Sequence, residues 1–207
     1  MSIAEKLTII SENVGKVYDA GFQKGKAETA VSMPTYEKEL AAQQAIEDAI
    51  VQNTVLEYRN DRITKLGEGG LTRRRNLKKI SLPAVTAIGE YSVYECDALT
   101  FFDAPLATTL GTAAFYGCES LQRLDFPNIT SISTHAFINC SALTALILRS
   151  GSVCSLGATT VFTGSPIASG TGYVYVPDDL LDTYKTATNW VAHADQIKGI
   201  SELEETA

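Results

Sequence analysis

The chain has 207 residues, is 45% hydrophobic and 20% charged, and carries a formal net charge of -7. That balance supports a real core in one or two small domains and excludes wholesale disorder. The acidic surplus repels nucleic acid and anionic membrane at long range, and no run approaches the ~20 apolar residues of a membrane span.

Residues 3–24 place apolar side chains at Ile3, Leu7, Ile10, Val14 and Val17, followed by Gly21 and Lys24. The alternating steps of four and three trace a heptad seam. Leu7 and Val14 occupy one core position, and Ile3, Ile10 and Val17 the other. Leucine at a with isoleucine at d favours trimers or tetramers. The spacing predicts a coiled-coil helix within residues 1–32 that oligomerises through these five side chains as a homotrimer. The alternative is an amphipathic helix packed on its own chain. The stretch also lacks the apolar core and cleavage site of a secretory leader, which predicts synthesis in the cytoplasm without standard export. Met33-Pro34 ends the helix. Tyr36, Leu40, Ala42, Ile46, Ala49 and Ile50 then predict a helical connector and cap over residues 33–54.

From residue 55 the chain repeats. Leu77, Leu99, Leu121 and Leu143 open successive units of 22 residues, and Pro83, Pro105 and Pro127 recur at one place in them. Ile80, Phe102 and Leu124 correspond, as do Ile88, Leu110 and Ile132, and then Val93, Phe115 and Phe137. Cys96, Cys118 and Cys140 share the same period. A weaker copy precedes them, with Ile63 on Val85, Leu66 on Ile88, Gly67 on Gly89 and Arg74 in the cysteine place. After Leu143, about three extra residues are needed before Phe162 and Gly164 fall into line with Phe115 and Gly117.

A fixed period of this length predicts a solenoid. The L-x2-I-x-L segment reads as a short strand that proline stops by removing a ladder donor. The remainder returns through a turn and a short irregular or helical leg. One unit cannot bury its own apolar side, so strands must stack ~4.8 Å apart into a parallel sheet over a shared core. The cysteines then form an inward column of reduced thiols behaving as small hydrophobes. The pattern L-x2-I-x-L-P-x-V-x2-I-G-x3-F-x2-C-x2-L resembles the BspA-like leucine-rich repeats over residues 55 to about 166. The fold class follows: an α/β repeat, a short leucine-rich-repeat solenoid with an N-terminal coiled-coil helix and an α/β C-terminal cap.

Residues 167–207 read as that cap. Tyr173 to Val176 alternate like a strand and end at Pro177. Asp178 and Asp179 then begin a helix through Leu180, Leu181, Tyr184 and Ala187, acids at its positive end. Trp190 reads as a packing anchor. The segment YVPDDLLDTYKTATNW is similar to the closing module of BspA-like proteins. The opening AEKLTIISENVGKVYDAGFQKGKAE resembles the N-terminal segments of bacteriophage minor structural and tail proteins, which implies a virion- or tail-associated role.

Signals for chemistry are absent. Only His135 and His193 exist, neither with a partner at metal spacing, and His135 sits at a variable, solvent-facing place. No nucleophile elbow, phosphate loop or zinc-protease motif occurs. No catalytic, cofactor or metal residues are therefore assigned, and the chain reads as non-enzymatic. The candidate binding surface comes from the strand pattern, whose third and fifth places face outward. These are Lys79, Phe101, Arg123 and Ala145 in one column and Ser81, Asp103, Asp125 and Ile147 in the other. Lys79, Ser81, Phe101, Asp103, Arg123 and Asp125 form the favoured patch, because an exposed aromatic among charges marks contact surfaces. Tyr91, Tyr94 and Tyr116 on the return leg form a second candidate. The basic run 73–79 is either a solvated rim or a site for an anionic polymer.

The expected partners are the chain itself, other virion proteins, and a host cell-surface glycan or protein, without nucleic acid or membrane insertion. The expected location is the virion. Two other roles fit the same pattern: a purely structural head or tail decoration, and a cytoplasmic protein-binding adaptor.

Overall fold

The computed structural model describes residues 56–204. The expected N-terminal helix, the connector at 33–54 and the oligomerisation residues Ile3, Leu7, Ile10, Val14 and Val17 lie outside the described residues.

The L-x2-I-x-L segments form one set of strands: β1 (Glu57–Arg59), β3 (Lys79–Ser81), β5 (Phe101–Asp103), β7 (Arg123–Phe126) and β9 (Ala145–Leu148). Pairing is parallel and follows the sequence period, with Glu57 opposite Lys79, Lys79 opposite Phe101 and Arg123 opposite Ala145. Along β3, β5, β7 and β9 the inward residue is apolar and buried: Ile80, Phe102, Leu124 and Leu146; Tyr58 takes that place in β1 and is half-buried.

A second parallel ladder runs along another face of the coils, where the sequence reading had placed only a turn. Its strands are two residues long: β2 (Lys65–Leu66), β4 (Ala87–Ile88), β6 (Thr109–Leu110), β8 (Ser131–Ile132) and β10 (Ser155–Leu156). Leu66, Ile88, Leu110 and Ile132 stack at the 22-residue period, and Ile132 then faces Leu156 two residues late. Two of the three extra residues therefore enter before β10. Thr86, Thr108 and Thr130 reinforce this face, each hydroxyl donating to the carbonyl one coil earlier at 3.0–3.1 Å. Glycine follows β2, β4, β6 and β10, and Ser133 follows β8. A Cβ on Gly111 would lie 2.5 Å from the backbone of Gly89 and Glu90.

The return leg is neither irregular nor helical in its bonding, which corrects the expectation from sequence. It is a third hydrogen-bonded face built from turns. Val93 N donates to Ala114 O, Glu95 N to Tyr116 O, and Phe115 N to Ala136 O, at 2.7–2.9 Å. Each leg passes twice through the left-handed region, at Tyr91 and Glu95, at Ala113 and Gly117, and at His135 and Asn139, with φ between 51° and 70°. Such angles rule out a helix and cost a non-glycine residue roughly 1–2 kcal/mol. The inter-coil bonds they align offset that cost.

The interior holds the expected rows. Leu77, Leu99, Leu121 and Leu143 are buried, and Phe115, Phe137 and Phe162 stack with centroids 5.7–5.8 Å apart. Cys96, Cys118 and Cys140 are free, buried thiols in one column. Each Sγ donates to a carbonyl 25 residues earlier, of Leu71, Val93 and Phe115, at 3.0–3.1 Å. A buried side chain of this kind contributes ~1.5–3 kcal/mol, so these rows dominate the favourable side of folding.

The cap extends the first sheet. After α1 (Pro166–Ser169), β11 (Tyr173–Val176) pairs with β9, and β12 (Ile197–Gly199) pairs with β11. Between them lie a 3-10 turn (Asp178–Leu180), α2 (Leu181–Thr186) and a 3-10 segment (Trp190–Gln196). The chain then enters α3 (Ile200–Glu204). Trp190 and Tyr184 are fully buried, with ring centroids 5.3 Å apart.

Candidate binding surface

The outward residues of the first sheet form two columns. Glu57, Lys79, Phe101, Arg123, Ala145 and Tyr173 occupy one, and Arg59, Ser81, Asp103, Asp125, Ile147 and Tyr175 the other. Phe101 is 50% exposed, an apolar ring presented to solvent. Lys79 and Arg123 are exposed on the neighbouring coils, while Ser81, Asp103 and Asp125 are half-buried. Ala145 is half-buried too. Ile147 does not face solvent and is fully buried, which corrects its outward assignment. Beside it, Arg149 grips Asp125, the register partner of Ile147, with three contacts of 2.8–3.1 Å.

The surface is wider than the sequence reading allowed. Tyr173 and Tyr175 continue both columns on β11, and the Lys198 ammonium stands 4.1 Å from the Tyr173 ring centroid. The Tyr-Val-Tyr-Val alternation carried the signal, but nothing in it placed β11 beside β9. Toward the other end, Lys79 pairs with Glu57 at 2.9 Å, and Arg59 Nη1 reaches Ser81 Oγ at 3.3 Å.

The basic run is engaged by acids of the following coil. Arg73 and Arg75 both contact Glu95, at 3.1 and 3.0 Å, and Arg75 also approaches Asp97 at 3.5 Å. Burial pulls the Glu95 carboxyl upward, but bonds from Tyr94 and Arg75 and the Arg73 charge outweigh it and hold the group below its usual range. Much of the run is thus a rim that ties coils together. Arg74, in the cysteine column, is half-buried, and its Nε has no hydrogen-bond partner among the described residues.

The tyrosines of the return leg are stacked on each other. Tyr94 and Tyr116 lie 4.9 Å apart and nearly parallel. Asn139 Nδ2 donates to the Tyr116 hydroxyl at 3.1 Å. Burial, then the bond to Glu95, raises the Tyr94 hydroxyl above its ordinary value. A planar ligand cannot enter between rings that already cover one another, so this ridge is a poor stacking platform. Tyr91 is 42% exposed at its edge.

The cysteine thiols are buried away from solvent. Burial pushes the thiols of Cys96, Cys140 and Cys154 up to about 12 and Cys118 well above its ordinary value, which keeps all four protonated and inert. His135 is exposed, as its repeat position implied. His193 is buried and bonded through Nε2 to Thr159 O at 2.9 Å. No group of three or more potential metal ligands occurs among the described residues.

Stacked parallel strands, one buried leucine per coil opening and an outward mixed sheet face define a leucine-rich-repeat solenoid. The family model described as a BspA type leucine rich repeat region matches residues 64–169 in six copies, more than half of the chain. The chain belongs to the BspA-type leucine-rich-repeat family. Among solved structures it is similar to a leucine-rich repeat protein from Bacteroides ovatus, with a TM-score of 0.53 and 21% identity over 69% of this chain and 35% of that one. The chain thus spans about a third of that protein, and the likeness is one of fold. No curated protein matches.

Proposed function

We propose that the chain is a non-enzymatic binding module that engages a protein partner through the outward face of its long sheet. The observation that carries this reading is Phe101, half exposed on the outward side of β5, with Lys79 and Arg123 on the adjoining coils and Asp103 beside it. An aromatic anchor ringed by charges is the composition of an interface centre and its rim. The self-stacked tyrosines of the return leg favour a protein over a glycan as the partner. The finer reading is a phage structural protein, virion- or tail-associated. Its N-terminal helix trimerises through Ile3, Leu7, Ile10, Val14 and Val17, and its repeats meet a host surface or a neighbouring virion protein. What supports it is the resemblance of residues 4–28 to phage tail segments. Three copies would strengthen a weak contact by avidity.

A photo-crosslinking residue at Phe101, with one at exposed His135 as control, tests the surface in the producing cell. Adducts at Phe101 alone support the reading, and equal yields at both sites sink it. Mass measurement of the full chain tests the oligomer. A trimer that Leu7→Asp dissociates is expected, and a monomeric full chain overturns that part. Co-sedimentation with particles from a lysate tests the virion assignment.

A further inference from the structure

The sheet that carries the candidate surface is discontinuous. β1, β3 and β5 form one sheet, and β7, β9, β11 and β12 another. Between β5 and β7, in successive coils, no ladder forms among the described residues. The flanking bonds fail there as well. Leu82 N donates to Asp103 O at 2.8 Å across the preceding junction, but Ala104 N makes no equivalent bond to Asp125 O. Thr100 N and Thr144 N each donate to the preceding coil, at 2.9 and 3.0 Å, whereas Gln122 N between them does not. The other two faces of this junction are intact. Thr109 and Leu110 pair with Ser131 and Ile132, and Ala113, Phe115 and Gly117 donate to Thr134, Ala136 and Ile138 at 2.9–3.0 Å.

Two features of the sequence account for the gap. Phe102 and Phe126 place two rings at one junction, centroids 6.3 Å apart and both against Phe115. The equivalent inward places in the neighbouring coils hold Ile80, Leu124 and Leu146, or Leu82, Ala104 and Leu148. Extra ring volume in a close-packed layer drives backbones apart. Phe102 is accordingly 6% exposed where Ile80 and Leu146 show none. The second feature is Gln122. Thr100 and Thr144 strengthen their junctions by donating hydroxyls to Lys78 O and Gln122 O, which Gln122 cannot do. Lys78 also lacks a hydroxyl, but its junction holds no ring pair and its amide keeps the bond to Leu56 O at 2.7 Å. The gap is bounded on one side by Ser120 N, which donates to Asp97 O at 3.1 Å, and on the other by Asn128 Nδ2, which donates to Pro105 O at 2.7 Å.

We propose that this junction is a hinge built into the binding face. The intact ladder of β6 and β8 and the bonded return leg are its pivot, and the unlatched edge between β5 and β7 is its mouth. Along the unlatched edge the amides of Ala104 and Gln122 have no partner in the neighbouring coil among the described residues, and opening it lets water satisfy them. The two halves of the face, one carrying Lys79, Phe101 and Asp103 and the other Arg123 and Asp125, change their mutual angle as it moves. A partner that touches both halves therefore sets the hinge when it binds. That last consequence rests on reading this face as the contact surface; the opening itself does not.

Hydrogen exchange on the full chain without any partner tests it. The amides of Ala104 and Gln122 exchange about tenfold faster, or more, than those of Leu82, Thr100 and Thr144. Gln122→Thr restores the latch and slows Ala104 toward its counterparts. Spin labels at Lys79 and Arg123, which span the mouth, give a broader distance distribution than labels at Arg123 and Tyr173, which span two bonded junctions. Equal protection across all five amides overturns the open mouth. Fast exchange with equally narrow distributions overturns the hinge.

Discussion

The middle coils and the C-terminal cap close the same stack by different means. Between coils the bonding is main chain to main chain, repeated on up to three faces, and side chains mostly fill volume. At the last coil the next main chain is missing on two of those faces, and side chains replace it. Tyr184 OH accepts from Cys154 N at 2.8 Å, and Trp190 Nε1 donates to Cys154 O at 2.6 Å. Asn189 Nδ2 donates to Leu156 O at 2.6 Å, and His193 Nε2 meets Thr159 O at 2.9 Å. On the third face β11 simply continues the sheet. The difference teaches that a repeat can tolerate changes in side-chain chemistry wherever its backbone carries the bonding, whereas a terminal cap cannot.

The largest effect should follow from attacking the cap. Trp190→Ala removes the ring packed on Tyr184 and Phe162 and orphans the Cys154 carbonyl. A loss of about 3–5 kcal/mol is expected in urea titration. A loss comparable to that of Leu99→Ala or less would mean the cap is no more demanding than a coil.

Main-chain closure is tested next by glycine. Gly111→Ala places a methyl against the backbone of the preceding coil and should cost about 1–3 kcal/mol. Gly67→Ala, whose new methyl meets nothing within 4 Å among the described residues, should be close to neutral. Equal effects of the two would show that stacking at this face is loose.

Side chains inside the coils should matter less. Cys118→Ala removes a volume-filling thiol whose bond to Val93 O is weak, and about 1 kcal/mol is expected. In the native state all four thiols should resist a thiol reagent at pH 8 and react once urea unfolds the chain. Rapid native labelling of the column would contradict the packing.

The smallest effect is one of pH and again separates cap from coil. Burial lowers the His193 pKa from 6.5, against the opposing bond to Thr159 O, so the folded chain prefers the neutral ring. The unfolded chain binds this proton more readily. Stability from this group is therefore complete above pH 6.5, declines as pH falls through that value toward the lowered one, and is level below. His193→Asn should flatten that slope in thermal midpoints between pH 7 and 5, and a slope that survives the substitution would contradict it.

Much of this architecture was legible because a period of 22 residues turns sequence neighbours one unit apart into spatial neighbours. Leu77 must lie under Leu99, and Cys96 under Cys118, for any stack to form. The outward patch of Lys79, Ser81, Phe101, Asp103, Arg123 and Asp125 was legible for the same reason, since strand alternation fixes which side faces water. The second ladder was not. Two residues such as Ala87 and Ile88 are too short for alternation to register. The bonded return leg was hidden because Tyr91, Glu95, Ala113 and His135 are not residues that announce a left-handed turn. Ile147 went wrong because alternation gives the side of a strand and not what covers it: β9 lies between β7 and the cap strand β11, with Asp125 and Tyr175 beside Ile147.

The order of the amino acids alone thus settled the repeat, its inward rows and the alternating strand of the cap. Each of these depends on the spacing of one residue from its own copies. The tertiary structure decided which main-chain groups bond between coils, where the sheet splits beside Phe102 and Phe126, and which side chains close the last coil. Those outcomes depend on how volume and hydrogen-bonding groups from distant parts of the chain meet at a single surface, a competition that no period encodes.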